Sequence, residues 1–164
     1  MGADREVALT SLSHAGAGLD FIAPSLLADR SFVMQAVSAR GHLLQHVGPW
    51  RQDREVTMSA VKQAGTALWF ADATFKADRA VVLEAVQQDS AALEYAVGKV
   101  HADKDIVLTA LAGGGKLFHS ASVLRADHDV VLAAVSRDWS AIRYAADHLK
   151  ADVEIAKIAV HQNW

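Results

Sequence analysis

No cysteine occurs in the 164 residues, which removes disulfides, thiolate metal sites and cysteine nucleophiles together. Proline is almost as scarce, with Pro24 and Pro49 the only two. With so few residues that lock φ and delete a backbone donor, and with alanine abundant, helix can run through most of the chain. No apolar run approaches the roughly 20 residues of a membrane-crossing helix, so no membrane insertion is expected. Positive charge is not in excess either. The formal net charge is −3, which gives no electrostatic case for nucleic acid, where affinity rests on neutralised phosphates. The opening MGADREVALT enters the repeating pattern at once, so no secretory or transit segment is expected. The chain reads as soluble, and as cytoplasmic in default of an address. What is there is 52 % apolar and 21 % charged, the balance of a folded domain rather than a disordered one.

One phrase is written seven times: ADREVALTSL, ADRSFVMQAV, DREVTMSAV, ADRAVVLEAV, ADKDIVLTAL, ADHDVVLAAV and ADVEIAKIAV. Its aspartates are Asp4, Asp29, Asp53, Asp78, Asp103, Asp127 and Asp152, spaced 24 or 25 residues apart. Each phrase predicts a short amphipathic helix with the aspartate as N-cap. Apolar residues follow at the third, fourth, fifth, seventh and eighth positions, as in Val81, Val82, Leu83, Ala85 and Val86, which share one helical face. The seventh position is a small residue (Ala36, Ala60, Ala85, Ala110, Ala134 and Ala159, with Ser11 in the first copy), which lets a neighbouring helix come close. Twelve residues after the aspartate stand Gly16, Gly41, Gly65, Ser90, Gly115, Trp139 and Trp164. Glycine there suits a helix end with positive φ. A second helix should follow, its inner side formed by Leu19, Leu44, Leu68, Leu93, Phe118 and Ile142, with Phe21, His46, Phe70, Tyr95, Ser120 and Tyr144 two residues on. Lys157 stands where earlier copies carry Leu or Met, as a last helix with one face in water would require.

The expected fold class is therefore all-α: an α-solenoid of about six and a half helix-turn-helix repeats, a single array over residues 1–164. Within that frame the eye-catching stretch ALAGGGKLF, residues 110–118, loses its likeness to a phosphate loop. Ala110 replaces the first glycine of that motif, Leu117 replaces its hydroxyl residue, and no strand precedes it. It reads as a turn. His42 and His46 have the spacing of a metal pair, but no glutamate follows His42, and a packed His46 is the simpler account. Neither a nucleophile elbow nor one special acid pair appears, so no enzyme activity, cofactor or metal is expected.

One column is a candidate contact surface: Arg5, Arg30, Arg54, Arg79, Lys104 and His128, each directly after its aspartate. In a solenoid these form a ladder beside Glu6, Glu55, Asp105, Asp129 and Glu154. The ladder either pairs within itself or docks an acidic partner. Trp50 falls in a core register, whereas Trp69, Trp139 and Trp164 do not and are candidates for exposure.

The phrases ADRAVVLEAVQQDSAALEYAVGKV and ADHDVVLAAVSRDWSAIRYAADHLK resemble the repeats of the domain-of-unknown-function family 4116. That family pairs an Asp-Arg-Glu-Val-Val-Leu-x-Ala-Val helix with a Gly/Trp break and an Ala-Leu-x-Tyr-Ala helix. The likeness spans the whole chain and departs most at HLLQHVGPWRQ. It implies a helical repeat fold and no catalytic residues. The functional expectation is a non-catalytic protein-interaction or scaffold module with protein partners; the alternative is a permanent structural subunit of a large assembly.

Overall fold

The computed structural model describes residues 7, 10 and 22–162, and among these there are helices and no strand. The expectations for Asp4, Arg5, Glu6, Ser11, Gly16, Leu19, Phe21 and Trp164 lie outside the described residues. Each repeat opens on a principal helix: α1 Arg30–Ala39, α2 Arg54–Gln63, α3 Arg79–Gln88, α4 Lys104–Ala112, α5 His128–Val135 and α6 Val153–Gln162. The aspartate before each one is its cap. Asp53 Oδ1 accepts the N–H groups of Glu55 and Val56 at 2.9 and 3.1 Å, and Asp78, Asp103 and Asp152 hold the same two positions of their helices. These N–H groups have no partner inside the helix, so the carboxylate satisfies donors that would otherwise need water.

The third, fourth, seventh and eighth residues after the aspartate are buried in α1 to α5, for example Val81, Val82, Ala85 and Val86. The fifth (Met34, Met58, Leu83, Leu108 and Leu132) packs against that core while only partly buried. Thr57 takes a core position in α2, and its hydroxyl donates to Arg51 O at 3.3 Å, which answers the desolvated polar group. In α6 Ile155 and Ala159 stay buried, whereas Val160 is exposed and so is Lys157.

The second arm of the repeat is not one α-helix. It splits into a 3₁₀ segment and a further short helical piece. The 3₁₀ segments are Gly41–His46, Gly65–Phe70, Ser90–Tyr95, Leu117–His119 and Trp139–Tyr144. The short pieces are α-helical at Pro24–Leu27, Ala73–Lys76 and Asp147–Lys150, and 3₁₀ at Gly48–Gln52, Gly98–Ala102 and Leu124–Ala126. A 3₁₀ turn puts residues i and i+3 in line. Gly65, Leu68 and Ala71 are spaced that way and all three are buried. A strip that narrow needs only six residues. The chain thus has three-sided rungs, principal helix stacked on principal helix and 3₁₀ segment on 3₁₀ segment. The third side is stitched by backbone bonds between rungs: Val97 N–H to Lys76 O at 3.0 Å, Ala121 N–H to His101 O at 2.8 Å and Ala146 N–H to Arg125 O at 2.9 Å.

The regular glycine serves closeness rather than positive φ, which corrects the expectation for that position. Among the described residues the positive-φ glycines are Gly48, Gly98 and Gly114. A side chain on Gly65 would instead run into the Ala85 carbonyl of the next principal helix, and one on Gly41 into that of Ala60. Small residues face each other there from consecutive rungs. Ser90 breaks the rule, and the next rung compensates. A Cβ on Gly113 would lie 2.9 Å from Ser90 Cβ, and Ser90 Oγ donates to Gly113 O at 3.0 Å. Gly113 therefore makes room for Ser90, while Gly114 takes φ +97° to end α4. The triple glycine is a local repair of the stack.

Candidate functional site

Two rows of basic residues recur along the rungs, and the structure disposes of them differently. In the first, each residue after a capping aspartate reaches forward to the next repeat. Arg30 Nε donates to Asp53 Oδ2 at 2.8 Å and its Nη2 to Glu55 at 2.6 Å. Arg54 forks onto Asp78 at 2.6 and 3.2 Å. Arg79 contacts Asp103 and Asp105, both at 2.6 Å, and Lys104 contacts Asp127 at 3.0 Å and Asp129 at 2.8 Å. His128 Nε2 closes the series at 3.9 Å from Asp152 and 3.8 Å from Glu154. Each aspartate thus does two jobs at once, capping its own helix and receiving the cation of the rung before. The cation beside it holds the carboxyl of Asp53, Asp78, Asp103 and Asp127 below the usual carboxylate range. Asp152 is lowered chiefly by the Ile155 N–H, since its neighbour is only the distant His128. The candidate ladder is thereby engaged inside the array.

The second row stands two residues before Asp53, Asp78, Asp103, Asp127 and Asp152: Arg51, Lys76, His101, Arg125 and Lys150. Three of its side chains turn back to a backbone carbonyl, while Lys150 pairs with Asp147 at 2.9 Å. Arg51 Nε donates to Gly48 O at 3.3 Å, His101 Nε2 to Ala96 O at 2.9 Å and Arg125 Nη2 to Ser120 O at 3.1 Å. Ala96 and Ser120 stand at the C-terminal ends of 3₁₀ segments, where carbonyls carry partial negative charge and attract donors such as these. Lys76 Nζ lies over the Trp69 ring, 5.7 Å from its centroid, and Trp69 meets Tyr95 edge-on at 5.0 Å. Trp69 is 58 % exposed and Trp139 40 %, as their register implies, while Trp50 is half-buried with Nε1 donating to Leu27 O at 2.8 Å. Sequence reasoning missed this second row, although the recurrence of a base at that one register was there to be read.

The histidines do not assemble. His46 is exposed, not packed, because the rung turns early at Val47 and Gly48, where φ is +52°. His42 Nε2 lies 3.0 Å from Thr66 Oγ1, with its ring edge-on to Phe70. Burial holds His119 below the usual imidazole value. Among the described residues no three His, Asp or Glu side chains converge as metal ligands would. A groove of about 710 Å³ runs beside Pro24, Leu27, His46, Pro49 and Trp50. Its other ionisable group, Asp53, is already bound to Arg30. No described helix is long and apolar enough to cross a membrane.

The family model of the domain of unknown function DUF4116 matches residues 4–50, 53–97, 103–150 and 127–164. The chain belongs to the DUF4116 family. The matches begin at Asp4 and at the capping aspartates Asp53, Asp103 and Asp127, and each of the first three spans about two repeats of the sequence. No curated protein and no solved structure matches the chain.

Proposed function

We propose that this DUF4116 chain is a non-catalytic module that binds other proteins. The observation that carries the reading is where large apolar side chains are exposed. Helices α1 to α5 hold theirs against the core, whereas Trp69, Val97, Val123, Trp139 and Tyr144, on the other two sides of the rungs, are between 39 % and 64 % exposed. Aromatic and aliphatic groups displayed on a rigid surface are what protein interfaces use as anchors. The regular stack supports the reading by analogy, since solenoids present extended surfaces of fixed spacing.

The test is gentle size fractionation of the native source with cross-linking and mass spectrometry. Cross-links from the neighbourhood of Trp69 or Trp139 to a defined protein in part of the population fit an interaction module. Elution at a constant ratio within a large complex would make the chain a permanent structural subunit. Elution only at its own mass, without cross-links, would overturn both.

A further inference from the structure

We propose that the exposed face of α6 pairs with α6 of a second copy of this chain, the two helices running antiparallel about a two-fold axis near Ala156. The inference concerns one end of the stack and goes beyond the protein-binding reading above. Burial shows which side of a principal helix meets which neighbour. In α1 to α5 the fourth and eighth residues after the aspartate, from Val33 and Val37 to Val131 and Val135, are at most 3 % exposed. In α6 the third and seventh, Ile155 and Ala159, stay buried against the rung before. The eighth, Val160, is 56 % exposed, and the fourth, Ala156, is only partly covered. The third and seventh positions thus face the preceding rung, and the fourth and eighth face the following one. α6 therefore leaves open the surface by which α1 to α5 each join the next rung. Val153, Ala156 and Val160 form its apolar stripe, spaced three and four residues apart on one side of the helix. With Ala151, Lys157 and His161 they line a groove of about 330 Å³.

Two observations choose the occupant. The first is the residue after the capping aspartate. Arg30, Arg54, Arg79, Lys104 and His128 reach forward to the acids of the next rung. In α6 that place holds Val153, 66 % exposed. Another rung stacked in the same parallel register would set its capping aspartate against a valine. The second is the charge along the helix. Glu154 lies in the first turn of α6, while Lys157 and His161 lie further along the same flank. Among the described residues neither Lys157 nor His161 pairs with a carboxylate, and Glu154 has only His128, at 3.8 Å. In an antiparallel pair Val153 of each copy meets Val160 of the other, and Glu154 of each meets Lys157 and His161 of the other. The two helix dipoles then oppose each other, and the small Ala156 lets the backbones approach at the axis. Such a contact is self-complementary and closes at two copies. One helix face is small for a specific interface, so the dissociation constant should be on the order of tens of micromolar.

The experiment is sedimentation equilibrium of the chain over about 5–500 µM, a range that brackets that value. A monomer–dimer equilibrium that saturates at two copies is expected. Val160→Glu, at an exposed position, should abolish the dimer, and Lys157→Glu should weaken it roughly tenfold. Circular dichroism of each variant checks that the fold is kept. The chain has no cysteine of its own, so an introduced one reports without interference. Ala156→Cys should give a disulfide-linked dimer under mild oxidation, and Lys62→Cys, exposed on α2, should give far less. A chain that stays monomeric over the whole range, or a folded Val160→Glu variant that still dimerises, overturns the inference. Species that grow beyond two copies with concentration, with no excess of cross-linking at Ala156→Cys, overturn it in favour of end-to-end stacking of rungs.

Discussion

The cations that follow each capping aspartate and those that stand two residues before it are close in sequence, yet the fold treats them differently. Arg54 reaches forward and is consumed by Asp78 of the next rung. Lys76, two residues before that same aspartate, turns back and rests on an indole. Their residue type is not what separates them. A principal helix offers its N-terminal end to the first row, with a carboxylate already in place there as a cap. The 3₁₀ segments offer His101 and Arg125 of the second row their C-terminal carbonyls. Charge balance along this solenoid is therefore set by which end of which helical segment a side chain meets. The first row is internal stitching, whereas the second is disposed of residue by residue, with Lys76 on an indole and Lys150 on Asp147.

That comparison can be broken at several depths. The largest effect should come from the core both rows depend on. Ala85→Glu puts a carboxylate at a fully buried site. The expected cost is about 3–5 kcal/mol, the penalty of a charge buried alone. Thermal melting followed by circular dichroism should show loss of helix or a much lower midpoint, and an unchanged melt would refute the burial of that position.

Next come the glycines. Gly65→Ala meets the Ala85 carbonyl and the backbone of Asp89, and should cost about 1–3 kcal/mol by overpacking. Gly98→Ala meets nothing within 4 Å and should cost only the strain of its positive φ, about 1 kcal/mol. Denaturant titration of the pair would show whether closeness or conformation fixes the regular glycine, and equal losses would argue against closeness.

The cap comes third. Asp78→Ala removes two backbone acceptor contacts and the Arg54 fork together, with about 1 kcal/mol expected from the cap. Because the folded carboxyls of Asp53, Asp78, Asp103 and Asp127 are lowered, their contribution is complete above the unfolded value, about 3.9, and is lost as pH falls through the folded ones. His119, lowered by burial, adds a smaller loss that begins as pH drops below about 6.5, because protonation favours the unfolded chain. A melting midpoint that falls gently below neutrality and steeply below about pH 4 is the expected profile. Asp78→Ala should flatten the steep part.

The smallest effect separates the two rows directly. Arg54→Ala should lower the melting midpoint slightly, and less so in high salt, because the pair it forms with Asp78 is open to solvent on the arginine side. Lys76→Ala should leave both the midpoint and its salt dependence nearly unchanged. Equal salt sensitivity in the two variants would show that the rows are not electrically distinct.

The helix-forming phrase, its capping aspartate and the buried third, fourth, seventh and eighth positions were legible because they are local. A 3.6-residue period and an N-cap are properties of about ten consecutive residues. The 3₁₀ second side had a signal too, in the three-residue spacing of Gly65, Leu68 and Ala71, but the aromatic columns suggested a longer helix. His46 shows the limit of column reasoning. It shares a register with Phe70 and Tyr95, which are half-buried, yet it is exposed.

The sequence by itself determined that this chain is helical, where each principal helix starts, which of its sides is buried and that the units repeat. Only the tertiary structure decided what each glycine is for, which carboxylate each arginine meets and which cations remain unmatched. Those outcomes depend on contacts between residues about one repeat apart, as when Gly65 abuts Ala85 and Ser90 is accommodated by Gly113. A repeat specifies its own caps and stripe, but its neighbours determine how closely it can pack and where its charges go.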